Sequence, residues 1–168
     1  MTNSKDQLLT LLKILGVFAA LYLFLVGISG MSSAIKHMGA DVADSIFTTT
    51  SNPIVALFIG VFSTVLFQSS STTTSLIVGL VSSGTLSLAG AVPMVMGANI
   101  GTTVTNTIVS VGHINQGKEF KRAFAASTVH DFFNILAVLI LFPLEMVSHG
   151  IQRTSEWCAN LIFGRIDN

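Results

Sequence analysis

Eight consecutive residues, Gln68 to Ser75 (QSSSTTTS), supply seven hydroxyls and one amide. A second polar stretch, Gly97 to Thr107, adds Asn99, Thr102, Thr103, Thr105, Asn106 and Thr107. Hydroxyl and amide oxygens, together with carbonyls freed by a break in a helix, are what a dehydrated hard cation requires. Free N–H groups at the start of a half-helix, with the positive end of its dipole, are what an anion requires. Both kinds of ligand occur in both stretches. A third group sits further on: His130 and Asp131 are adjacent, and Ser127, His130 and Asn134 fall three and four apart, on one helical face. Asp131 is expected to lean toward that stripe and toward Thr128, as a gating or structural residue together with His130 and Asn134.

The surroundings of these residues decide what they can do. No Asp, Glu, Lys or Arg occurs between Ser45 and Gly117, and none between Ile14 and Ile35. Charged residues make up 10% of the 168 residues, apolar ones 51%, and the mean hydropathy is +0.75. A soluble domain carries roughly 25% charge. This composition excludes a disordered chain, a nucleic-acid binder with a basic face and an ordinary soluble enzyme. No Gly-x-Ser-x-Gly surrounds Ser69–Ser71, so a hydrolase nucleophile is not expected. The single cysteine, Cys158, excludes an intrachain disulfide and a cysteine-rich metal site. The chain reads as an all-α integral membrane protein.

The elements follow from the apolar runs. Residues 1–13 form a cytoplasmic tail, and 14–150 a single membrane unit with a first span over 14–35. Lys36 to Thr50 is a loop. Ser51-Asn52-Pro53 is a helix start signal, a capping residue before proline at the first helical position. The helix from Pro53 to Phe67 has fifteen residues, about 22 Å, short of a roughly 30 Å hydrocarbon core. Residues 86–111 form a helix broken at Gly97–Thr103, with Gly97 and Gly101 permitting the break. Residues 123–150 form a last span, and 151–168 an extracytoplasmic tail or linker anchored by Trp157.

Basic loops set the orientation. Lys5 and Lys13, and Lys118, Lys121 and Arg122, face the cytoplasm; Lys36, Arg153 and Arg165 lie outside. An even number of crossings must then separate residues 13 and 118. The spans 14–35 and 86–111 supply two, so 53–83 enters and leaves on one side, as a re-entrant helical hairpin tipped by Gln68–Ser71. Such backbone is tolerated only where it lines a cavity or is buried in protein. Three crossings make a unit whose second copy would be inserted upside down, the inverted-repeat architecture of many transporters. The absence of any fixed cation between Ser45 and Gly117 points to anion transport coupled to a co-bound cation, with sodium suited to oxygen ligands. His37, His113 and His149 are expected in solvent.

Three motifs in order, QSSSTTTSL (68–76), MGANIGTT (96–103) and RAFAASTVHDFFN (122–134), resemble one repeat of the type II sodium-dependent phosphate cotransporter family. The resemblance covers about residues 14–150. It implies a multi-pass protein of the cell membrane that moves inorganic phosphate with sodium through the lipid bilayer, with no cofactor and no covalent chemistry. It implies phosphate contacts at Gln68, Ser69, Ser70, Ser71, Asn99, Gly101 and Thr102. Sodium contacts are implied at Gln68, Ser71, Thr72, Thr73, Asn99 and Thr103. This chain holds one QSSS where the family has two. The missing copy is expected either in the same polypeptide or in an antiparallel second copy of the chain. The alternatives are an ion channel with a Ser/Thr/Gly-lined filter and a structural membrane subunit without transport.

Overall fold

The computed structural model describes residues 4–112, 114 and 117–164, and every regular element among them is a helix. They are α1 (Ser4–His37), α2 (Ala40–Thr50), α3 (Pro53–Phe67), α4 (Ser70–Ser82), α5 (Leu88–Val111), α6 (Gly117–Ser148) and α7 (Gly150–Phe163). Three of the described segments are long and apolar enough to cross a membrane: Gln7–Ile35, Leu88–Val111 and Gly117–Ser148. Leu11, Val17, Phe18 and Leu23 on α1, and Phe133, Leu139 and Ile140 on α6, point outward, as lipid-facing side chains do. Of the residues used to orient the chain, Arg165 lies outside the described residues, as do the side chains of Lys5 and Lys36; His113 is also outside them. His37 and His149 are exposed.

The helix start at Asn52-Pro53 forms as the sequence dictates. Asn52 Oδ1 accepts from the Ile54 and Val55 N–H groups at 3.0 and 3.3 Å, and Pro53 begins α3, where a missing N–H costs nothing. The chain reverses at two residues. Gln68 is left-handed (φ 52°, ψ 27°) and Ser69 is extended (φ −155°). α4 then starts at Ser70, so Thr72 to Ser75 are helical and the break is narrower than the polar stretch. With thirteen residues, about 20 Å, α4 is also too short to span. Ala56 from α3 and Ile77 and Leu80 from α4 meet Leu86, Ala91 and Met94 in one core, which closes the open end of the hairpin.

α5 differs from the expectation. It is continuous from Leu88 to Val111, with no break at Gly97–Thr103. The reason is packing: Gly97 and Gly101 do not release the backbone but press it against α3. A Cβ on Gly97 would fall inside the Leu57 carbonyl, one on Gly60 inside the Met94 carbonyl, and one on Gly101 within 2.6–2.7 Å of Thr64 and Val61. α3 and α5 therefore run in the same direction with their backbones touching, a small-residue contact typical of membrane helices. α6 returns antiparallel to α5, since Thr107 meets Asp131 while Asn99 meets Asn134.

Two segments read as loop and tail are helices. α2 meets α3 at 108°. α7 follows His149, which is left-handed (φ 50°). The buried Glu145 carboxylate accepts the Ile151 and Gln152 N–H groups at 2.7 and 3.1 Å, satisfying the first turn of α7 and meeting its positive end. Glu145→Ala is expected to lower the stability of the detergent-solubilised chain by about 1–2 kcal/mol, read as a lower thermal midpoint, with α7 the first segment cut by protease.

Gly79 of α4 touches Ile28 and Ser32 near the end of α1, Thr50 touches Gly90 near the start of α5, and Phe142 and Met146 near the end of α6 share a cavity with Thr48 and Pro53. The end of α1, both open ends of the hairpin, the start of α5 and the end of α6 thus gather at one end of the bundle.

Candidate functional site

The hairpin tip is built from hydroxyls in series. Thr64 Oγ1 donates to Thr73 Oγ1 at 3.1 Å, and Thr73 Oγ1 donates to the Ser69 carbonyl at 3.1 Å. Both threonines are essentially inaccessible, at 0% and 1%. This chain of bonds fixes Ser69 at the reversal. Ser69 Oγ accepts the Thr72 N–H at 3.2 Å and the Thr72 hydroxyl at 3.0 Å, and so caps α4. The Ser70 and Ser71 N–H groups precede the first helical bonds and point outward with the positive end of α4. Gln68 is exposed beside them. Donors without fixed charge, flanked by hydroxyl oxygens, can hold an oxyanion and a hard cation side by side.

A second polar group lies in the seam between α5 and α6. Thr107 Oγ1 donates to Asp131 Oδ2 at 2.9 Å. The Asn134 amide donates to the Asn99 carbonyl at 3.3 Å and lies 2.9 Å from His130 Nε2. His130 and Asn134 thus share a face, as their spacing implies. Asp131 turns to Thr107 rather than to Thr128, whose hydroxyl bonds the Phe124 carbonyl. Asp131 Oδ1 and Ser127 Oγ are buried without a hydrogen-bond partner. A cavity of about 320 Å³ opens beside them, lined by Asn106, Ser110, Ser127 and His130.

The residues expected in one site fall into two groups. Gly101 touches Thr64 and so adjoins the tip. Asn99 instead gives its carbonyl to α6. The Thr102 hydroxyl bonds the Ala98 carbonyl at 3.2 Å, and that of Thr103, buried, bonds the Ile100 carbonyl at 2.6 Å. Both keep lone pairs for a cation. Thr64 was not singled out by sequence reasoning, although a hydroxyl within VFSTVLF is a signal of its kind. Thr107 was legible only as one polar residue among several; its pairing with Asp131 needs the antiparallel register of two helices.

Residues 23–164 match the Na+/Pi-cotransporter family. The chain is 48% identical over 135 residues to the human sodium-dependent phosphate transport protein 2B, covering 79% of this chain and 20% of that protein. It is 51% identical over 138 residues to the mouse sodium-dependent phosphate transport protein 2A, covering 80% and 22%. With the sheep 2A protein the identity is 46% over 162 residues, covering 93% and 25%. The chain therefore spans about a fifth to a quarter of the length of the curated relatives it matches. No solved structure matches it. A match over most of the chain, by a sequence that builds a hydroxyl-lined hairpin against three span-length helices, places this chain in the Na+/Pi-cotransporter family.

Proposed function

We propose that this chain supplies one repeat of a sodium-coupled transporter of inorganic phosphate, a carrier without covalent chemistry. The observation that carries the reading is the two-residue reversal at Gln68-Ser69. It opens the N-terminus of α4 beside α5, well inside the length of a span-sized helix, and surrounds it with hydroxyls. The names of the relatives, sodium-dependent phosphate transport proteins, agree with that chemistry. In this reading phosphate lies on the α4 N-terminus, at Gln68, Ser69, Ser70 and Ser71, with Gly101 allowing close approach and Asn99 and Thr102 completing the contacts. Sodium takes oxygens from Gln68, Ser71, Thr72, Thr73, Asn99 and Thr103.

Each helix N-terminus carries about half a charge, too little for a phosphate dianion in low dielectric. Sodium beside it supplies the rest, and this is the physical origin of coupling. Co-bound sodium lowers the net charge that the loaded site must carry, while phosphate bound alone is costly to move. Alternating exposure of the loaded site completes the cycle. A second QSSS-bearing unit of inverted orientation, in the same polypeptide or an antiparallel partner, closes the site across the midplane. The N-terminus and the basic start of α6, at Lys118, Lys121 and Arg122, face the cytoplasm in the cell membrane, and the C-terminal side lies outside.

Radiolabelled phosphate uptake into proteoliposomes tests this, with the chain alone and with a second QSSS-bearing unit. Saturable uptake driven by an inward sodium gradient is expected. Uptake indifferent to the gradient overturns coupling, and a high unitary current without saturation turns the reading to a channel.

A further inference from the structure

Beyond the transport site, the described residues leave one face of α7 largely uncovered. Trp157, Leu161 and Ile162 stand 63–70% exposed in its second half. Ile151, Thr154, Cys158, Leu161 and Ile162 recur at steps of three and four and so share a face. Thr154 does not interrupt that face, because its hydroxyl already donates to the Gly150 carbonyl at 2.6 Å. Gln152, Arg153, Glu156 and Asn160 recur in the same way on the opposite side, where the Gln152 amide donates to the Glu156 carboxylate at 2.9 Å. Both charges of the helix lie there. Trp157 falls on the boundary between the two faces. Phe163 lies off the apolar face, at the helix end before the positive-φ Gly164.

A helix of this kind can span the membrane, stand in water or lie in the membrane surface. Spanning fails on length and charge: fourteen residues make about 21 Å against a roughly 30 Å hydrocarbon core, and Arg153 and Glu156 would enter that core. Water leaves Trp157, Leu161 and Ile162 unburied. The neighbouring helix points to the surface. α6 shows Leu141, Leu144 and Val147 to the outside, just before the left-handed turn at His149. Ile151 continues that strip: with Leu141 and Leu144 it lines a cleft of about 390 Å³ in the corner between α6 and α7. The lipid-facing surface of α6 therefore runs on to α7. With 32 residues, about 48 Å, α6 is long enough for its last turn to emerge from the hydrocarbon. At that end the Glu145 carboxylate holds the first turn of α7, and α7 packs beside α5 and α6 instead of projecting away.

We infer that α7 is an interfacial helix. Its apolar face, from Ile151 to Ile162, enters the headgroup–acyl boundary of a phospholipid leaflet to a depth of about 5–10 Å, and Arg153, Glu156 and Asn160 face water. Trp157 sits where an indole is favoured, with an apolar ring below and an N–H donor at headgroup level. Glu145 makes the attachment rigid, so the end of α6 is held at a fixed depth. The anchor is independent of the solute that the unit carries.

Trp157 is the only tryptophan of the chain, so tryptophan fluorescence of the unaltered protein reads α7 alone. The full chain is reconstituted in phosphatidylcholine vesicles whose acyl chains carry bromine either near the headgroup or near the chain end. Bromine near the headgroup is expected to quench Trp157 at least about threefold more than bromine near the chain end, as shallow burial requires. Iodide on both sides of the membrane is expected to quench it weakly. Stronger quenching by the deep bromines overturns the inference, because α7 then lies inside the core. Strong quenching by iodide overturns it as well, with α7 in water. Weak quenching by bromines and iodide alike also overturns it, because protein then covers the face. A double variant, Leu161→Gln with Ile162→Gln, keeps a helical sequence and removes two large apolar side chains. It is expected to lower quenching by the headgroup bromines at least about threefold and to raise quenching by iodide as much. The thermal midpoint should not move, because both side chains are exposed. Quenching equal to that of the unaltered chain overturns this face as the anchor.

Discussion

Gly97→Val is expected to destabilise the membrane unit strongly. The new side chain begins where the Leu57 carbonyl already sits, and its neighbour in space is backbone, not a side chain that could turn away. Relief requires α3 and α5 to separate, which opens the contact at Gly60 and at Gly101 too. Overpacking of this kind costs about 3 kcal/mol or more, which lowers the thermal midpoint of a chain this size by about 6–12 °C. The measurement is the midpoint of the detergent-solubilised protein, with size-exclusion profile as a second readout. Gly27→Ala is the matched control: a Cβ there meets nothing within 4 Å, and alanine is the better helix former. It should leave the midpoint unchanged or slightly raised. A Gly97→Val chain as stable as the Gly27→Ala chain would mean that the α3–α5 contact is wrong.

The second large effect is expected at Gln68, where turn geometry and ligand chemistry can be separated. The residue sits at φ 52°, a conformation that a β-branched side chain strongly resists. Gln68→Val should cost about 1–3 kcal/mol, displace Ser69 from its cap, and reduce sodium-dependent phosphate uptake at least about tenfold. Gln68→Gly removes the strain as well as the amide. It should keep the thermal midpoint while raising the phosphate concentration for half-maximal uptake. Gln68→Asn tolerates the left-handed turn and keeps an amide, so it should be the mildest of the three. Equal loss in Gln68→Val and Gln68→Gly, with Gln68→Asn spared, would place the whole effect in the amide and none in the turn.

The ease of reading the sequence followed the chemistry of each segment. The charge-free runs located α1 and α5, because a missing charge over twenty residues has one physical meaning, and the apolar run at 132–144 located α6. Asn52-Pro53 located the start of α3, because a cap is a local device. The reversal at Gln68-Ser69 was legible too, although its width was overestimated: Thr72 to Ser75 are polar but hydrogen-bonded as helix. α5 was misread because glycine, asparagine and threonine weaken a helix in isolation. Here Gly97 and Gly101 are chosen for contact with α3, and tertiary packing overrides propensity. α2 was missed because Asp41 and Asp44 interrupt a short run around Val42, Ile46 and Phe47. α7 was missed because its cap, Glu145, lies in the preceding helix. At the site, the tip residues were evident from composition, whereas Thr64–Thr73 and Thr107–Asp131 depend on register between helices.

In the proposed transport cycle, the touching backbones of α3 and α5 also restrict which movements are open to the unit. Sliding one along the other by a fraction of a turn would bring a residue with a side chain into a gap that admits only hydrogen. The hairpin and α5 must therefore travel together as one stiff strut, carrying the Ser69 reversal with them. Any rearrangement that exposes the tip first to one compartment and then to the other has its pivots at α1 and α6, where contacts are made by side chains.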